Sequence, residues 1–171
     1  MPPPRDSDIL LKVEQIDAMI TPNPPHVPVI MLEVEDGRTF TLYGVPYEIV
    51  LAINKLTNSE SSITMNQRES IYDIILDFRS EISGLGKYLQ RVIIDEIDYS
   101  TGLYTAKAEF MLEGIMMLRR MIPSHAIFMA LLFNKPIFVR KRLVDEQEEL
   151  ERRVREEEEE YYGGGAEDEE I

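Results

Sequence analysis

Residues 119–142 read RRMIPSHAIFMALLFNKPIFVRKR, and this stretch decides the fold. Pro123 biases Ile122 toward an extended conformation, which suits the end of a strand. Ser124 is a good N-cap for a helix beginning at His125. From Ala126 to Phe133 every residue is apolar. A helix apolar on all sides is buried or spans a membrane, and this run is too short to span one. Asn134 suits a C-terminal cap, and Pro136 stops the helix. Residues 136–139, Pro-Ile-Phe-Val, read as a short strand bounded by charge. The unit is strand, buried helix, strand, with the helix at the centre of the core.

Outward from it, the chain is rich in strands. Residues 9–20 give a first strand anchored by Leu11, Val13, Ile16 and Met19. Four prolines within 21–28 impose a stiff loop. Residues 29–34 form a second strand, Asp36-Gly37 a hairpin turn, and 39–45 a third strand. Pro46 and Glu48 suit the first turn of a helix whose apolar face is Ile49, Val50, Ile53 and Leu56. A second helix is expected over 66–78, burying Ile71, Ile74, Ile75 and Phe78. Strands follow at 88–97, 103–112 and 115–121, separated by turns at Ser100-Thr101-Gly102 and Glu113-Gly114. The expected class is α+β: two groups of antiparallel strands packed against a few helices, plus a charged C-terminal helix.

Charge divides the chain. Residues 1–142 hold 15 Lys+Arg against 18 Asp+Glu, and residues 143–171 hold 3 against 14. The expected organisation is a disordered start at 1–8, a domain at 9–142, a charged helical extension at 143–162 and a disordered acidic tail at 163–171. Leu143, Gln147, Leu150 and Val154 make a helical seam in the extension. An acidic tail repels nucleic acid or competes with it for a basic surface. The absence of cysteine excludes disulfides and thiolate metal sites and suits a reducing compartment. With no leader-like apolar segment and no membrane-length apolar run, the expectation is a cytoplasmic protein without a membrane partner.

The pattern resembles the bifunctional nuclease (BFN) family. Residues 122–131, IPSHAIFMAL, stand where that family has a motif close to RPSDAIALAL, and 136–139 stand in its following strand. Pro123, Ser124, Ala126 and Ile127 match, whereas Ile122 replaces the family's Arg and His125 its Asp. Residues 44–48, GVPYE, are similar to a family segment leading into a helix, with one residue inserted. Val92-Ile93-Ile94-Asp95, Leu103-Tyr104-Thr105-Ala106 and Phe110-Met111-Leu112 follow the family's strand pattern. The resemblance runs over about residues 10–144. It implies a BFN fold and a nuclease acting on DNA and RNA with a divalent metal, Mg²⁺ or Mn²⁺.

The residues themselves offer four candidate groups. Asp95, Glu96 and Asp98 are either Mg²⁺ or Mn²⁺ ligands or a solvated turn; strand alternation separates 95 from 96 and 98, so convergence requires a bulge. Glu48 and His125 are the catalytic candidates, beside simpler roles as a helix-dipole partner and a locally bonded histidine. Glu109 fits a solvated strand face. Arg119, Arg120, Arg140, Lys141 and Arg142 flank the central unit and either contact phosphates or pair with the protein's own acids. Two histidines without cysteine make a structural zinc site a poor fit. The competing function is a noncatalytic, oligomeric interaction module whose acidic tail engages a protein partner. Self-association is expected from the surplus of apolar strands and the 143–154 seam.

Overall fold

The computed structural model describes residues 5, 8–57 and 68–163. Its strands are β1 (Leu10–Ile20), β2 (Pro28–Val34), β3 (Thr39–Tyr43), β4 (Leu89–Asp98), β5 (Leu103–Leu112), β6 (Ile115–Met121) and β7 (Ile137–Arg140). Its helices are α1 (Tyr47–Thr57), α2 (Ile71–Asp77), α3 (Arg79–Ile82), α4 (Pro123–Leu132) and α5 (Lys141–Gly163), with a 3-10 turn at Ser83–Lys87. The α+β class is as expected, but the two strand groups are not separate. They join in one seven-stranded sheet of order β3-β2-β1-β7-β4-β5-β6.

The opening stretch makes that junction. α4 packs over β4 and β5 and delivers β7 to the far side of β4. β7 pairs parallel with β4 and antiparallel with β1, and the other neighbouring strands pair antiparallel. Ile137 and Val139 point into the core. Ala126, Ile127, Phe128, Ala130 and Leu132 of α4 are buried with them. Asn134 takes the left-handed conformation, φ 54°, that its capping role requires. The helix starts earlier than expected. Pro123 is its first residue and Ile122 its N-cap. Ser124 is therefore inside the first turn, its Oγ buried without a hydrogen-bond partner.

The strand register is irregular at three places, one of them between Leu89 and Arg91 at the start of β4. The ladder also slips in β1 between Val13 and Gln15 and in β4 between Ile94 and Glu96. β1 pairs with β7 before its slip and mainly with β2 after it. The sheet curls enough that Phe40 of β3 meets Tyr104 of β5 edge to face, ring centres 5.1 Å apart.

The second helix differs from expectation. Residues 66 and 67 lie outside the described residues, and 71–87 form α2, α3 and the 3-10 turn. Ser70 N–H donates to Asp73 at 2.7 Å and starts α2 there. Ile71, Ile74 and Phe78 are exposed, while Tyr72, Ile75 and Leu76 pack on the core. This segment is apolar on several sides, so its period does not select a face. The edge-to-face contact of Tyr72 with Phe128, at 5.1 Å, marks the face that is buried.

The boundary expected after 142 falls inside α5. Leu143 and Val144 are each 1% exposed and belong to the core. From Glu151 onward the described helix is exposed. The expected disordered ends lie almost wholly outside the described residues.

Candidate functional site

The acids at the end of β4 do not converge. A bulge is present, but it turns Asp95 inward, where it is 3% exposed. Arg140 holds Asp95 Oδ1, with Nε at 2.8 Å, and Lys107 holds Oδ2. Burial pushes the Asp95 pKa up, and the Lys107 and Arg140 contacts outweigh it, leaving it below the ordinary carboxylate value. Glu96 turns instead to Arg120 at 3.0 Å and Lys107 at 3.5 Å. Asp98 accepts hydrogen bonds from Ser100 N–H (2.9 Å) and Oγ–H (2.6 Å). Among the described residues, no three His, Cys, Asp or Glu side chains form a metal-ligand group. A hard divalent cation needs several oxygens free and aimed at one point, and Asp95, Glu96 and Asp98 do not fit that need. Asp95 is not part of a solvated turn either.

Glu109 is also engaged. It lies opposite Arg91 across β4 and β5 and binds it through both oxygens, at 2.6 and 3.1 Å. Its side chain is 16% exposed, so a solvated strand face does not describe it.

The basic groups pair mostly within the folded domain. Arg120 binds Glu96, and Arg140 binds Asp95. Lys141 reaches Asp145 at 2.9 Å, and Arg142 reaches Glu146 at 3.0 Å and the Tyr99 hydroxyl at 2.8 Å. Arg119 lies exposed on β6. These partners lie on β4, in the turn at Tyr99 and in the first turns of α5, and Arg140 also comes within 4.0 Å of Asp8.

His125 meets Tyr72, a residue that sequence reasoning missed, and Glu48 lies on α1, the helix packed beside both. The Tyr72 hydroxyl is 3.0 Å from His125 Nε2, and α1 packs on both α2 and α4. Burial, and behind it the charge of exposed Glu48, push the Tyr72 hydroxyl up. A raised tyrosine stays protonated at neutral pH and is suited to donating a hydrogen bond, not to removing a proton. His26 sits apart in the proline loop, with Nδ1 2.9 Å from the Thr21 carbonyl oxygen.

A concave feature with an apolar floor lies along α5. Tyr43, Ile97, Tyr104, Leu150 and Val154 line a groove of about 580 Å³. Glu151, Arg155 and Glu158 stand along its helix side. Leu150 and Val154 are 63% and 48% exposed, although the same helical stripe begins with buried Leu143 and Gln147. The spacing of this stripe is visible in the sequence. Its facing wall is not, because that wall forms only when the sheet curls β3 toward β5.

No protein-family model and no curated protein matches this chain.

Proposed function

We propose that this protein is a noncatalytic interaction module that binds a cationic amphipathic segment of a protein partner in the groove along α5. The groove itself supports this reading most directly. Its floor is apolar, and its helical wall belongs to a strongly acidic element: residues 145–160 hold ten Asp+Glu against three Arg. Two of those arginines, Arg152 and Arg153, are already bound by Glu149, and Arg152 also by Glu156. The surface thus offers apolar contact for one face of a helix and negative charge for its basic flanks.

The chain has no Trp, so a peptide carrying one reports binding by its own fluorescence. An 18-residue Leu/Lys peptide of helical period with one Trp should saturate the full chain, more weakly as salt rises. A matched Leu/Glu peptide should not bind. Leu150→Glu with Val154→Glu should weaken the Leu/Lys peptide at least tenfold. Equal binding of both peptides, or an unchanged affinity in the double variant, would defeat the proposal.

Nuclease action, implied by the BFN resemblance, has one specific observation in its favour: the catalytic candidate His125 meets Tyr72, and α1, which carries the other candidate Glu48, packs on the helices of both. Labelled single- and double-stranded DNA and RNA with Mg²⁺ or Mn²⁺ test it. Cleavage lost in His125→Ala and Tyr72→Phe, with folding retained, would replace the module reading by a catalytic one.

A further inference from the structure

We infer that a second copy of this chain covers β6, by antiparallel pairing of β6 with β6 about a two-fold axis at Leu118. The backbone defines this register. Glu113 and Gly114 have φ of 50° and 79° and close Leu112 on Ile115, which makes a two-residue type I′ hairpin. The closing pair of such a hairpin exchanges both of its hydrogen bonds. Alternation then directs the backbone groups of Ile115, Met117, Arg119 and Met121 toward β5. Met116, Leu118 and Arg120 present their N–H and C=O groups outward. With Leu118 opposite itself and Met116 opposite Arg120 on either side, all of these outward groups are paired, in about six hydrogen bonds.

The side chains agree with that register. No residue of β6 is buried, and Ile115, Met116 and Leu118 are 67%, 46% and 56% exposed. Exposed Met111 and Leu112 of β5 extend the apolar area. The β5–β6 register is unbroken from Leu112 and Ile115 to Ala106 and Met121, so no bulge blunts the edge, and β6 contains no proline. Charge and length together select among the symmetric alternatives: an axis at Met117 opposes no like charges but pairs only residues 115–119 of β6, and one at Arg119 sets that residue against itself. About Leu118, each Arg119 faces Met117 and each Arg120 faces Met116, so no like charges are opposed. An axis at Arg120 would set that residue against itself. An axis at Met116 would pair only residues 115–117.

The inference does not rest on the α5 groove. Light scattering of the full chain at micromolar concentration should return twice the 19.8 kDa chain mass. Leu118→Pro removes an N–H that the monomer does not use. It should give the single-chain mass with the unfolding transition kept, and Leu118→Lys should do the same where proline disturbs the strand. The chain has no cysteine, so Leu118→Cys introduces one thiol, which should cross-link to its copy under mild oxidation faster than Met116→Cys. A monomeric wild type, a dimer surviving Leu118→Lys, or equal cross-linking at 116 and 118 would overturn the inference. So would a dimer lost in Leu150→Glu with Val154→Glu and kept in Leu118→Lys. Peptide binding by Leu118→Lys reads the groove separately.

Discussion

The β3 edge and the β6 edge end the same sheet in opposite ways. β3, Thr-Phe-Thr-Leu-Tyr, has its three central residues buried, and β6, Ile-Met-Met-Leu-Arg-Arg-Met, has none. The more apolar strand is the bare one. What separates them is α5. Its Gln147, 8% exposed, accepts the Thr41 N–H at Oε1 (2.7 Å) and donates Nε2–H to the Thr41 carbonyl (2.9 Å). A side-chain amide thus takes the place of a neighbouring strand. Arg38, in the loop before β3, adds contacts to Asp145 (2.7 Å) and Glu148 (2.9 Å) of the same helix. Edge protection is therefore a matter of what the chain places alongside, not of the edge's own composition.

The largest effect is expected where the two edges share support. Asp95 lies between them: Arg140, beside it, leads into α5, and Lys107 sits on β5 opposite Arg120 of β6. Asp95→Ala removes the buried carboxylate that Lys107 and Arg140 share and should cost about 3–5 kcal/mol in denaturant unfolding. A loss below about 1 kcal/mol would place the charge cluster outside the stabilising framework. The pH dependence has a definite sign. The folded Asp95 pKa is depressed, so its contribution is present above the unfolded carboxylate value and is lost as pH falls through the folded value. The Asp95→Asn protein should show a shallower acid loss of stability than wild type.

Next is the cap on β3. Gln147→Ala leaves the Thr41 N–H and C=O without their partner, an expected cost of about 1–3 kcal/mol. It should also make β3 behave like β6. Scattering should reveal association beyond the wild-type state, and Leu118→Lys should not suppress it. If Gln147→Ala neither destabilises nor associates, the distinction between the edges fails. A smaller effect is expected from Arg38→Ala. The Arg38 side chain is 26% exposed, so its loss should cost about 1 kcal/mol or less, with the difference shrinking as salt rises.

Much of the fold is legible in the sequence because strand, turn and cap signals agree locally. Asp36-Gly37 turns with Gly37 at φ 85°, and Asn134 caps α4. What is not legible depends on distant neighbours. The face of α2 is set by Tyr72 meeting Phe128 and His125, two residues on another helix. Alternation indicates that Asp95, Glu96 and Asp98 need a bulge to meet, and the bulge exists, yet its outcome is set by Lys107 and Arg140. Gln147 is recognisable as the polar member of a helical seam. Its task of sealing an edge strand becomes visible only once β3 lies beside it.

The smallest effect on stability is expected at the acidic end of α5, where the same helix has left the sheet it protects. Residues 151–163 are exposed, so they bury almost no apolar area on folding, and apolar burial is the main stabilising term such a segment could contribute. A chain ending after Glu156 retains Gln147, Leu150 and Val154 but loses Glu158 from the groove wall and the other acids that follow. Its thermal midpoint should match wild type, whereas a broadened transition would show that the end of α5 is docked. The Leu/Lys peptide should bind this shortened chain more weakly at low salt and nearly equally at high salt, because only the electrostatic part is removed. A shortened chain that binds the peptide as well as wild type at low salt would assign the affinity to the apolar floor alone. It would also separate the two uses of α5, sealing β3 near its start and attracting charge near its end.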